Sequence, residues 1–131
     1  MGGRSPRSWI SHRISAFLTR PVGHYERTSR TDVDRLRAHI RKGDVLLVEG
    51  DQRVSWIIKS LTHSSWSHAA LYIGRLHDIE NEASRSALTR RSAFPPSTQL
   101  VVESQLGAGT IVRALTEYTD DHVRICRPVG L

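Results

Sequence analysis

His68 is the side chain in this sequence best suited to proton transfer near neutral pH, the range in which an ordinary imidazole changes charge. It stands where the polar run THSSWS gives way to the apolar run HAALYIG. A strand that starts beside a loop holds an imidazole on a rigid edge within reach of a substrate. The single cysteine, Cys126, raises the question of a thiol nucleophile. One cysteine excludes an internal disulfide and is compatible with a reducing compartment. Cys126 lies between Ile125 and Arg127 in a short strand-like stretch, without the helix N-terminus that favours a thiolate. It reads as a small packing residue. His63, His77, Asp78, Glu80 and Glu82 add donors around His68, but not the tight ligand pairs of zinc sites, so neither a metal nor a cofactor is expected.

The elements that must position His68 follow from periodicity. Residues 43–74 read GDVLLVEGDQRVSWIIKSLTHSSWSHAALYIG. Val45 to Val48 is a continuous apolar run, as in a strand covered on both faces. Gly50-Asp51 marks a turn. Val54, Ile57, Ile58 and Leu61 follow helical spacing, which predicts an amphipathic helix over 53–61. The segment 68–73 alternates, with His68, Ala70 and Tyr72 on one side and Ala69, Leu71 and Ile73 on the other. Tyr72 is therefore a pocket candidate beside His68, and Trp66 and Ser67 are candidates for its rim. Upstream, Thr31 or Asp32 caps a helix that runs to Ile40 and stops at Gly43. Downstream, residues 75–98 are polar, mixed in charge and closed by Pro95-Pro96, a long surface excursion. Strands follow at 99–103, 110–114 and 122–127, with a turn at Gly107-Ala108-Gly109 and a connector over 115–121.

Composition limits the function classes. The chain has 131 residues, enough for one domain with a modest core. Its formal charge of +6 is unevenly spread. Residues 1–42 carry nine Arg and Lys42 against three acids, whereas 43–131 carry nine basic residues against ten acids. The basicity belongs to the N-terminal segment, residues 1–42. The chain divides into an arm, residues 1–33, and a domain, residues 34–131. Within the arm, residues 6–20 could form a short helix bearing Trp9, Ile10, Ile14, Phe17 and Leu18, suited to packing or to peripheral contact with anionic lipid. No aromatic–basic interleaving points to nucleic acid, and none is expected as a partner. No apolar run approaches a membrane span and no secretory signal is evident, so a cytoplasmic or peripheral-membrane protein is expected.

The segments GDVLLVEG, IIKSLTHSSWSHAALYIG, VVESQLGAGTIV and VRICRPVGL resemble the YiiX/YebB-like branch of the NlpC-type cysteine hydrolases, which are circularly permuted papain-like proteins. The resemblance covers residues 34–131 apart from 75–98. It implies an α+β fold, an antiparallel sheet with packed helices, and a thiol-dependent amidase, peptidase, lipid-ester hydrolase or acyltransferase. His68 matches the family's histidine base and Glu103 the polar group that orients it. The substrates implied are amides or esters: peptides, peptidoglycan fragments or lipids. In the family the nucleophilic cysteine follows the strand matched by VRICRPVGL, at the start of a helix. No residue here matches it, so the resemblance implies an incomplete, C-terminally truncated domain, inactive by itself. The alternative is a non-catalytic remnant or binding module that keeps the sheet. In either case an uncovered sheet face is expected, including some of Val45, Leu47, Leu71, Ile73, Val101 and Ile111.

Overall fold

The computed structural model describes residues 14–20, 31–50 and 53–130 (for 53, 54 and 56 the backbone only). Most of the basic arm, with Trp9 and Ile10, lies outside the described residues, as does Asp51 of the turn expected at Gly50-Asp51. Strands β1 (Val45–Glu49), β2 (His68–Arg75), β3 (Gln99–Gln105), β4 (Gly109–Ala114) and β5 (His122–Cys126) form one antiparallel sheet in the order β4-β3-β2-β1-β5. Helices α1 (residues 14–18), α2 (Val33–His39), α3 (Arg53–Thr62) and α4 (Glu82–Arg91) lie around it. The fold is α+β with a five-stranded antiparallel sheet.

Strand register sorts the side chains. Leu46 pairs with Ala70, Val48 with His68, Tyr72 with Val101, and Ala70 with Glu103, so all of these share one face. On that face Leu46, Val48, Ala70, Tyr72 and Val101 are buried to 5% exposure or less. Leu36 of α2 and Ile40 just beyond its end cover them, with Leu115 and Tyr118 from a 3-10 turn, Leu115–Tyr118. Each such large apolar side chain contributes roughly 1.5–3 kcal/mol by leaving water. The opposite face carries Val45, Leu47, Ala69, Leu71, Val102 and Cys126, all half-buried or exposed. Val101 and Ile111 do not belong to that open face: their register partners, Tyr72 and Glu103, point to the core side.

Three local expectations need correction. The Asp32 carboxylate caps α2 by accepting from the Arg35 N–H at 3.1 Å, but the helix stops at His39. Ile40 is extended and buries its side chain, while Gly43, at φ 92°, serves the turn into β1. The segment 75–98 does run over the surface, but with secondary structure of its own. Leu76 is buried in a 3-10 turn, and α4 follows with an Asn81 cap on the Ser84 N–H at 2.8 Å. Arg90 and Arg91 sit in the last turn of α4, where cations complement the helix dipole. Lastly, the stretch 115–121 is no mere connector, because Leu115 and Tyr118 are 0% and 1% exposed.

Candidate active site

His68 opens β2 and Glu103 lies one register step away on β3, opposite Ala70, so both side chains rise from the same face. The result is a hydrogen bond of 2.6 Å between His68 Nε2 and Glu103 Oε2. The Glu103 side chain is wholly buried and the His68 ring 29% exposed. A buried carboxylate needs donors for its remaining lone pairs. Tyr118 donates its hydroxyl to the same oxygen, Oε2. Arg113 (3.1 Å) and Gln105 (2.8 Å) donate to Oε1. Arg113 also lies over the Tyr118 ring, 5.0 Å from its centre.

These partners decide the electrostatics. Burial alone would raise the Glu103 pKa. Hydrogen bonds from His68, Tyr118 and Arg113, with the Arg113 charge, outweigh it and bring the carboxyl from 4.5 to about 2. Burial and the Glu103 carboxylate push the Tyr118 phenol up, so it stays a donor. Glu103 is thus a permanent acceptor at neutral pH. Its acceptor oxygen assigns the proton of a neutral His68 ring to Nε2. Nδ1 is left with its lone pair and has no hydrogen-bond partner among the described residues.

The ring forms part of the lining of a cleft of about 510 Å³. Val48, Gly50, Ser55, Ile58, Ser67, Gln105 and Leu106 line it with His68, Glu103, Arg113 and Tyr118. Gly50 is where β1, α3 and the loop before β2 converge. Its N–H donates to Ser67 Oγ at 3.0 Å, and a Cβ there would collide with Ser55 Oγ. A second cluster fixes α3 against the sheet. The buried Glu49 meets His122 Nδ1 at 2.9 Å and Lys59 Nζ at 3.7 Å, and Lys59 donates to the Gly50 carbonyl at 2.8 Å.

Of the residues singled out from sequence, His68, Glu103 and Ser67 come together in the cleft. Tyr72 does not line it. It shares the His68 face, but α2 covers that part of the sheet, and the Tyr72 hydroxyl accepts from Gln99 Nε2 at 3.1 Å. Trp66 also lies outside the lining, packed on the His122 ring at 5.1 Å with Arg124 over it. Cys126 pairs with Val45 and so faces away from His68, on the other side of the sheet. His77 lies beyond the far end of β2, bonded to the Pro96 carbonyl, and does not join His68. Arg113, Tyr118 and Gln105 were not foreseen as site residues. For Arg113 a signal existed: a hairpin closed at Gly107–Gly109 places it diagonal to Glu103. Tyr118 carries no comparable signal. No family model, no curated protein and no solved structure matches this chain.

Proposed function

We propose that the cleft is the acid–base half of a thiol-dependent acyl-transfer site, in a permuted papain-like domain of the NlpC type. His68 acts through Nδ1 as the base that ionises a thiol, and Glu103 holds the ring by accepting Nε2–H. The observation that carries this reading is the division of labour on one imidazole. One nitrogen is tied to a buried carboxylate, and the other has no hydrogen-bond partner among the described residues, on a ring that borders a cleft. An isolated structural histidine does not need a carboxylate supported by three further donors. The substrate class is an amide or ester. The thiol is not Cys126, which faces the other side of the sheet, so a cysteine outside residues 1–131 must be presented to Nδ1. That same placement of Cys126 favours a second reading, a binding module that has kept the sheet and the dyad without chemistry.

An added thiol separates the two. With 2-mercaptoethanol and p-nitrophenyl acetate, general-base catalysis by His68 should accelerate thiolysis, and His68→Ala should lower the protein-dependent rate about 100-fold. Equal rates from wild type and His68→Ala would leave only the binding module.

A further inference from the structure

The cleft contains a hydroxyl that neither the acid–base pair nor the fold uses. Ser55 is 5% exposed and lines the cleft, and its side chain has no hydrogen-bond partner among the described residues. No fully enclosed side-chain nitrogen or oxygen among them lacks a partner, so the Ser55 oxygen must open onto the cleft. A polar group held this deep is unfavourable unless something in the cleft bonds to it. Ser67 stands beside it. Its Oγ accepts the Gly50 N–H at 3.0 Å, which leaves its own proton to be donated elsewhere. Both oxygens lie within 3.0 Å of the point where a Cβ on Gly50 would stand, and the glycine keeps that point open.

The surroundings select what these hydroxyls bond. The Gly50 carbonyl already accepts from Lys59 Nζ at 2.8 Å, so it does not compete for their protons. Ser55 is the third residue of α3, a ten-residue helix, and the positive end of its dipole favours an electron-rich atom at this notch. The ligand atom is therefore an acceptor, and the hydroxyls are its donors. A full anion fits less well, because Glu103 and Asp121 outnumber Arg113 in the charged lining. A neutral carbonyl oxygen accepts two hydrogen bonds and brings no net charge. We infer that Ser55 and Ser67 form a subsite for the carbonyl oxygen of an amide or ester. Its part in catalysis rests on the acyl-transfer reading, but recognition of the carbonyl does not. When a thiolate adds to the carbonyl carbon, the C=O π pair moves to oxygen, and the two hydroxyls hold that oxyanion. On collapse the pair returns to C=O and the C–N or C–O bond breaks. The His68 imidazolium then gives its proton to the leaving amine or alkoxide.

A matched pair of ligands tests the subsite. N-(4-nitrophenyl)acetamide carries the carbonyl, and N-ethyl-4-nitroaniline has a methylene in its place. Both are titrated into the full chain and followed by amide NMR shifts. The ratio of amide to amine affinity should fall about tenfold in Ser55→Ala, as the loss of one hydrogen bond predicts, and should also fall in Ser67→Ala. His68→Ala should keep the wild-type ratio. Ser55→Ala should unfold in urea no earlier than wild type, because the hydroxyl it removes bonds nothing inside the fold. In thiolysis of p-nitrophenyl acetate by 2-mercaptoethanol, the same variant should lose at least about tenfold in kcat. Equal thiolysis by wild type and His68→Ala, with the ratio still falling in Ser55→Ala, would leave the subsite standing and remove the acyl-transfer reading. No binding of the amide by wild type, an unchanged ratio in Ser55→Ala, or earlier unfolding of that variant would each overturn the inference.

Discussion

Glu103→Gln isolates the stability that the buried carboxylate contributes, and the effect has a defined pH window. The folded-state pKa is about 2 and the ordinary value 4.5, so the unfolded chain takes up the proton first as pH falls. Glu103 therefore stabilises the fold fully above about pH 5, and the contribution is lost as pH falls from 4.5 through 2. A displacement of that size corresponds to roughly 3 kcal/mol at 1.36 kcal/mol per pH unit. The side chain is wholly buried, so solvent screening takes little from it. Asp44 titrates in the same direction, held low chiefly by two hydrogen bonds of 2.8 Å from Arg127, but its contribution is common to wild type and variant. Urea unfolding should be followed from pH 2.5 to 7 for both proteins. Near pH 6 the wild type should be more stable by roughly 3 kcal/mol, about 1–3 M in midpoint. By pH 2.5 the gap should have fallen to roughly a quarter of its size at pH 6, because the folded-state carboxyl, at about 2, is only beginning to take up its proton there. A gap below about 1 kcal/mol at pH 6, or one that does not change with pH, would refute the reasoning.

Tyr118→Phe removes one donor from Glu103 Oε2 and keeps the ring in the core. It should cost about 1–2 kcal/mol by thermal melting and raise the Glu103 pKa, read by carboxyl NMR titration. Gly50→Ala drives a methyl into Ser55 Oγ and close to Ser67 Oγ, so urea unfolding should show a loss of about 1–3 kcal/mol and the α3 wall of the cleft should shift in amide spectra. Asp44→Asn breaks the fork with Arg127 at the other end of β1. It should lower the melting temperature by several degrees, for about 1–3 kcal/mol lost, and leave the His68 resonances unmoved.

Period-two alternation made the β2 face legible, and with it the placement of His68, because a strand buried on one side must repeat every second residue. Glu103 was legible only through the family pattern, since an acid at a strand position otherwise reads as solvated. The donors that make it useful were not. Tyr118 reaches it from a short 3-10 turn whose sequence, LTEY, has no periodicity to read. The α4 helix was missed for a similar reason. Its apolar positions are few, and its signals are an Asn81 cap, an acid in the first turn and two arginines in the last. Trp66 was assigned to the rim because sequence distance from His68 was short. Its place on the His122 side depends on the β1–β5 pairing, which joins residues more than 70 positions apart. The end of α2 was misread because Gly43 is a natural helix stop, while the core's demand for Ile40 stopped the helix first.

The ring of His68 offers the most direct measurement. Long-range ¹H–¹⁵N correlation at neutral pH should find the neutral ring protonated on Nε2 and bare on Nδ1. In Glu103→Gln the assignment should invert. Arg113 can only donate, so the amide oxygen must stay at the Oε1 position. The NH₂ then faces Nε2, which has to become the acceptor. A neutral wild-type ring with its proton on Nδ1, or a variant ring that keeps Nε2–H, would contradict the assignment of His68 Nδ1 as the base.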